Sequence, residues 1–223
     1  MTTLRSVVHS FLRPAATRSL LRTLILARFQ QWVRSWLNAT TNVQWCPVVM
    51  NQEIEKFIRS LDCSKIDALE ISGVGSQGRY DFRSCQTVGY PAFDVCEGPL
   101  AENQFDLVIA EQAFEHILHP DRAASNVYQM LRPGGLFVIS TPFLLKIHGY
   151  PLDLYRWTEQ GIKQLLEAAS FSVLCTSSWG NRKCLLADMT EGFEWTSYNR
   201  FLHSLHNEPQ FPIVIWAFAK KTK

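Results

Sequence analysis

The sequence predicts an α/β protein built on a mostly parallel sheet with helices on both faces. Three observations carry that reading. Short runs dominated by apolar residues, Ala68 to Ile71, FDLVIA at 105–110 and LFVIS at 136–140, have the length and composition of buried strands. Amphipathic helical patterns alternate with them, so strand–helix–strand recurs and implies right-handed crossovers. The first run stops abruptly at a glycine-bearing turn, Ser72-Gly73-Val74-Gly75-Ser76. In open α/β sheets such a turn lies at the carboxyl edge of the strand, where ligands bind.

The elements follow in order. Residues 1–42 read as a basic helical leader, and 43–223 as a single domain. Within the leader, Arg18 to Leu37 predicts a helix that is apolar around most of its circumference. Ser19, Thr23, Gln30 and Arg34 form a narrow polar stripe on it. Arg22 and Arg28 interrupt any apolar span of about 18 residues, which argues against a transmembrane helix. Three readings stay open for 18–37: a helix docked on the domain or on a protein partner, a peripheral membrane helix, or an organelle-targeting segment.

A helix capped by Asn51 follows, with Ile54, Phe57, Ile58 and Leu61 on one face. After the glycine turn come a strand-like run over 85–90 and a brief one at Phe93 to Cys96. The run at 105–110 leads into Glu111-Gln112-Ala113-Phe114-Glu115-His116, where capping and loop anchoring are the expected roles of Glu115 and His116. Pro120-Asp121 open a helix with Ala124, Val127, Tyr128 and Leu131 on one face, stopped by Arg132-Pro133-Gly134-Gly135. A loop spans Thr141 to Trp157. Thr158 then caps a helix, a strand lies near 171–176, a polar aromatic stretch reaches His206, and residues 212–218 form a last strand.

Composition narrows the function. The first 52 residues hold six arginines and no acidic residue, leaving 16 basic against 20 acidic residues in the rest. A net acidic domain without a basic, aromatic-interleaved stripe argues against a nucleic-acid partner. The six cysteines are widely spaced, with no C-x-x-C pair. That fits neither a zinc site nor a disulfide framework and suits a reducing, cytoplasmic setting. No metal site is expected.

Gly73, Gly75 and Gly78 spell a literal G-x-G-x-x-G, with Asp94 at a distance suited to a ribose hydroxyl, so an NAD(P)-dependent oxidoreductase is one candidate. That fingerprint needs a full helix starting in the turn to hold a pyrophosphate, and Arg79 to Ser84 leaves barely two turns. An adenosyl sulfonium needs no such helix.

DALEISGVGS, FDLVIAEQAFEHI and LRPGGLFVISTPF together resemble the class I S-adenosylmethionine-dependent methyltransferases, nearest the small bacterial-type branch with an "EISG" first motif. The resemblance covers about 50–220. It implies a Rossmann-like sheet of seven strands in the order 3-2-1-4-5-7-6, the last strand antiparallel, and S-adenosyl-L-methionine as cofactor. Carried over by position, Glu70, Ser72, Gly73 and Gly75 surround the methionine and ribose part. Asp94 stands in for the ribose-binding acid, with Glu97 as its rival, and Glu111 and Gln112 close over the methionine end. The usual glycine-x-glycine-x-glycine reads Ser72-x-Val74-x-Ser76 here, which also leaves a non-catalytic interaction module as a reading.

In that family the loop after the fifth strand lies beside the transferring methyl. Here it offers His148 as a base, Asp153 to orient it or serve in its place, and Arg156 to hold an anionic acceptor. A loop-fixing Asp153–Arg156 ion pair is the competing structural reading. Tyr150, Tyr155 and Trp157 could wall the acceptor or pack in the core. The acceptor class expected is a small molecule or a glycan or lipid.

Overall fold

The computed structural model of the chain describes residues 40–73, 78–149, 152–190 and 195–222. The expected leader helix over 18–37, Gly75 and Tyr150 lie outside the described residues. The chain divides into two units, a larger one of Val43–Thr196 with Leu205–Lys223 and a smaller one that includes Ser197–Ser204. β1 (Thr40–Gln44) and β7 (Ser197–Asn199) form a two-stranded sheet. In the smaller unit Asn199 shapes the turn after β7, its side-chain oxygen accepting from Phe201 N at 3.0 Å.

Among the described residues the main sheet has six strands: β2 (Asp67–Ile71), β3 (Ser84–Val88), β4 (Phe105–Glu111), β5 (Leu131–Pro142), β6 (Ser172–Trp179) and β8 (Val214–Lys220). Their order is β3-β2-β4-β5-β8-β6. β2 is parallel to β3 and β4, and β4 is parallel to β5. β8 is antiparallel to both of its neighbours, as expected of the last strand. The expected strand at Phe93 to Cys96 is instead a turn, which reduces seven strands to six. The Asp94 carboxylate accepts the Cys96 backbone N–H at 2.9 Å, folding the chain where a strand would extend it.

Four helices among the described residues complete the layers: α1 (Val48–Arg59), α2 (Pro120–Met130), α3 (Glu159–Ala168) and α4 (Arg182–Thr190). α2 and α3 cover one face of the sheet. Leu69, Val108, Phe137, Ile139 and Ala217 pack there against Ala124, Val127, Ile162 and Leu166. α1 covers the other face, where Phe57 stacks on Phe218 of β8 with ring centroids 3.9 Å apart. Because strand side chains alternate, Glu70, Ile109 and Glu111 lie on the α1 side.

Two helix boundaries differ from the pattern. α1 starts at Val48 rather than after Asn51, because Val48 and Met50 are buried and Pro47 supplies the preset backbone at the start. α4 lies in what reads as an irregular polar stretch; Asn181 Oδ1 accepts from Cys184 N at 2.8 Å, a cap visible in the sequence but followed by no clear apolar period. Thr158 caps α3 as expected, accepting from Gly161 N. Among the described residues no helix is long and apolar enough to cross a membrane.

Candidate active site

β2 and β4 are the strands between which the chain reverses its direction of travel across the sheet. Their carboxyl ends therefore open a crevice at the topological switch point. Glu70, next to last in β2, is buried to 4% exposure. Its carboxylate folds beneath the turn: a Cβ on Gly73 would stand 2.1 Å from Glu70 Oε1, so only glycine leaves that space. Ser72 takes the left-handed backbone, φ 60°, that the missing glycine would adopt more easily, and its N–H bonds Val88 O at 2.7 Å.

Across the crevice, Glu111 ends β4 and Gln112 follows at φ 50°. Two adjacent strand ends thus each carry a left-handed non-glycine residue, a form of strain that gathers at functional sites. Gln112 is tied to β5 by its N–H to Ser140 O at 2.9 Å and touches α1 through Met50 Sδ at 3.8 Å. Burial pushes the Glu111 carboxyl upward, opposed by Arg79 and reinforced by the Glu70 charge. The hydroxyl of Tyr80 is buried without a hydrogen-bond partner among the described residues. One Asp94 oxygen accepts from Cys96 N in the turn there, and Glu97 lines a different cavity of about 400 Å³ between α2 and α3.

The loop after β5 brings His148 to a cavity of about 360 Å³ that Glu111, Gln112, Met50 and Trp195 also line. Asp153 accepts the His148 backbone N–H at 2.9 Å, and its Oδ2 lies 3.4 Å from His148 Nδ1. The same carboxylate takes both arms of the Arg156 guanidinium, one at 2.7 Å. Arg156 holds the Asp153 carboxyl down at about 2, against the opposing effect of burial. The fork expected to grip an anionic acceptor is thus occupied by Asp153, and the pair fixes the loop. Tyr155 donates to Leu118 O and stacks on Trp157, which packs against the core, so neither is positioned as an acceptor wall. Trp195, edge-on to His148 at 5.9 Å and carrying Lys146 over its ring, is the aromatic at this place.

Glu115 anchors the loop as expected, through its backbone rather than its side chain: its carbonyl accepts from Leu154 N at 2.8 Å and Tyr155 N at 3.3 Å. Its side chain, fully buried, has no hydrogen-bond donor on either oxygen among the described residues. Burial pushes its carboxyl up to about 7. Oε1 lies 3.6 Å from His116 Nε2 and 3.7 Å from His148 Nε2.

Residues 61–139 match the family described as a methyltransferase domain. A probable S-adenosylmethionine-dependent methyltransferase of Mycolicibacterium smegmatis is 32% identical over 95 residues, 38% of this chain. Over these stretches the chain is similar to methyltransferases. The match spans 37% of the length of that curated relative. Solved structures of like fold are also found. The 1,6-didemethyltoxoflavin-N1-methyltransferase of Burkholderia thailandensis, with 1,6-didemethyltoxoflavin and S-adenosylhomocysteine, aligns with TM-score 0.51 and 14% identity over 96% of this chain and 92% of its own. Phosphoethanolamine N-methyltransferase 2 of Haemonchus contortus, with S-adenosyl-L-methionine, gives 0.51 and 15% over 78% of this chain and 53% of its own. The [4+2]-cyclase SpnF gives 0.51 and 15% over 76% and 80%. At such identities the likeness is one of fold. The family match includes Glu70, Ser72, Gly73, Glu111 and Glu115 but ends before His148.

Proposed function

We propose that the protein is an S-adenosyl-L-methionine-dependent methyltransferase acting on a small-molecule acceptor. The observation that carries this reading is the pair of carboxylates at the ends of β2 and β4, Glu70 against Gly73 and Glu111 lining a cavity of about 360 Å³. Burial disfavours the charge on Glu111, and a ligand bearing a sulfonium and an ammonium offsets that cost. The Tyr80 hydroxyl, buried without a partner among the described residues, adds a donor. Glu70, Ser72, Gly73, Glu111 and Gln112 hold the cofactor in this reading, joined by Gly75; Asp94 meets the ribose only through its second oxygen.

Methyl transfer is an in-line displacement: the acceptor's lone pair forms the new bond to carbon while the S–C pair stays on sulfur. Placement at near-attack distance supplies most of the rate. His148 stands at the cavity as the group that activates the acceptor, with Asp153 setting the position of its backbone and ring and Arg156 setting Asp153. A glycan or lipid acceptor, and contact with a membrane or protein through 18–37, belong to the same proposal at a finer level.

A nicotinamide cofactor is less suited, since the described segment from Gly78 to Arg83 holds no helix to receive a pyrophosphate. Thermal unfolding with S-adenosylhomocysteine, and separately with NADH, tests the reading. At a hundred times its dissociation constant a ligand adds about 2.7 kcal/mol, a rise of roughly 5–10 °C for a chain of this size. A rise with S-adenosylhomocysteine alone is expected. A rise with NADH alone overturns the proposal in favour of an oxidoreductase. No rise with either favours the interaction module, an outcome the fold permits because fold does not fix activity.

A further inference from the structure

Glu115, His116 and His148 pose a chemical problem that the cofactor does not solve. His116 Nδ1 is in hydrogen-bond contact with Leu152 O. His148 Nδ1 lies 3.2 Å from Lys146 O and 3.4 Å from Asp153 Oδ2. Those partners only accept, so both rings carry their hydrogen on Nδ1 and turn an Nε2 lone pair inward. Both lone pairs converge on the same oxygen, Glu115 Oε1. That oxygen belongs to a fully buried carboxylate with no donor of its own among the described residues. Three electron-pair donors thus face one another. Arg156, whose charge reaches Glu115 from a distance, is already neutralised by Asp153.

We propose that Glu115 Oε1, His116 Nε2 and His148 Nε2 bind a divalent first-row transition metal of the zinc type. The three ligand atoms lie within 4.8 Å of one another. Tetrahedral bonds of about 2.0–2.1 Å place ligand atoms about 3.3–3.4 Å apart, a few tenths less than the 3.6 and 3.7 Å observed. Backbone carbonyls and a carboxylate on the far ring nitrogens are the outer contacts that orient metal-binding imidazoles. Two imidazoles and one carboxylate favour zinc, cobalt or manganese over magnesium, which takes an all-oxygen shell. Three protein ligands leave a coordination position open, and His148 lines the cavity of about 360 Å³ at which the proposed function places it.

This inference rests on the methyl-transfer reading for its purpose, though not for its geometry. It narrows the acceptor to one that offers the metal an oxygen or nitrogen ligand. A coordinated hydroxyl gives its proton to solvent more readily, and the resulting alkoxide takes the methyl while the S–C electron pair remains on sulfur.

The test uses the full chain, stripped of metal with a chelator and titrated with Co²⁺. Visible ligand-field bands should saturate at one equivalent, be displaced by Zn²⁺, and persist in excess Mg²⁺. His116→Ala and His148→Ala should each weaken Co²⁺ binding by more than about 100-fold, beyond the loss caused by an outer contact. His116→Gln and His148→Gln, which keep bulk, serve where the alanine variants unfold. No saturable Co²⁺ site overturns the proposal, and so does a site with thiolate charge-transfer bands that survives in the histidine variants. S-adenosylhomocysteine binding, measured on the same metal-free samples, separates the two readings. Cofactor binding with no Co²⁺ site removes this inference and leaves methyl transfer, whereas metal binding without cofactor does the reverse.

Discussion

Replacing Asp153 by Asn should destabilise the protein by about 2–3 kcal/mol, a figure that starts from the burial of its ion pair. The Asp153 side chain is 2% exposed and that of Arg156 23%. Removing one partner of a buried ion pair costs about 3–5 kcal/mol, because the other charge is left without compensation. Three features lower that figure here. Arg156 reaches solvent over about a quarter of its surface, and it keeps a bond to Tyr155 O at 2.8 Å. The substituted amide would also retain one acceptor oxygen for the His148 N–H. For a chain of this length each kcal/mol moves the midpoint by about 2–4 °C, so Tm should fall by roughly 5–10 °C. Urea unfolding of the wild type, Asp153→Asn, Arg156→Met and the double variant gives the coupling energy directly. At least about 1 kcal/mol of coupling is expected for groups in direct contact. A loss below about 0.5 kcal/mol in Asp153→Asn, the scale of an ordinary surface change, would refute the assignment of this pair as the loop's anchor. Additivity in the cycle would refute it equally.

Three further outcomes follow from the same structure. Gly73→Ala places a Cβ 2.1 Å from Glu70 Oε1 and must drive that carboxylate off the turn. Because the displaced group is the end of a flexible side chain, the fold should lose little, whereas S-adenosylhomocysteine affinity by calorimetry should fall tenfold or more; unchanged affinity would remove Glu70 from the cofactor site. Gly180→Ala meets backbone instead, Phe211 O at 2.0 Å and Ile213 N at 2.6 Å, so denaturant midpoints should record a loss of about 3 kcal/mol or more. A near-neutral variant would show that the approach to β8 is loosely packed. Asp67 is bonded by Arg83, Ser84 and Arg132, which hold its carboxyl well below the ordinary range. Its contribution is therefore present above the unfolded-state value near 3.8 and is lost as pH falls towards the depressed folded-state value. Asp67→Asn should be less stable than wild type at neutral pH and should show a shallower acid limb; parallel stability–pH curves would contradict this.

The central strands and most helix termini were legible in the sequence because each depends on neighbours along the chain. The apolar runs of β2, β4 and β5, the Pro120 start of α2 and the Thr158 cap of α3 are local signals, read by period and by capping chemistry. The end of β2 just before Ser72 was legible for the same reason. Where a local side-chain bond competes with extension, as Asp94 does at Cys96, an apolar run gave a strand that the structure replaces by a turn.

Long-range convergence was not legible. Nothing in the spacing of Glu115 and His148 says that the loop after β5 returns to the end of β4. Nor does composition reveal that Asp153 takes both arms of Arg156, or that Trp195 stands beside the imidazole. The sequence determined that a mostly parallel sheet would form from these runs, since burial and backbone sterics act residue by residue. Only the tertiary structure decided which charges meet at its edge, because burial and partner distance are properties of the folded neighbourhood and set whether Glu115 stands alone or Arg156 is occupied.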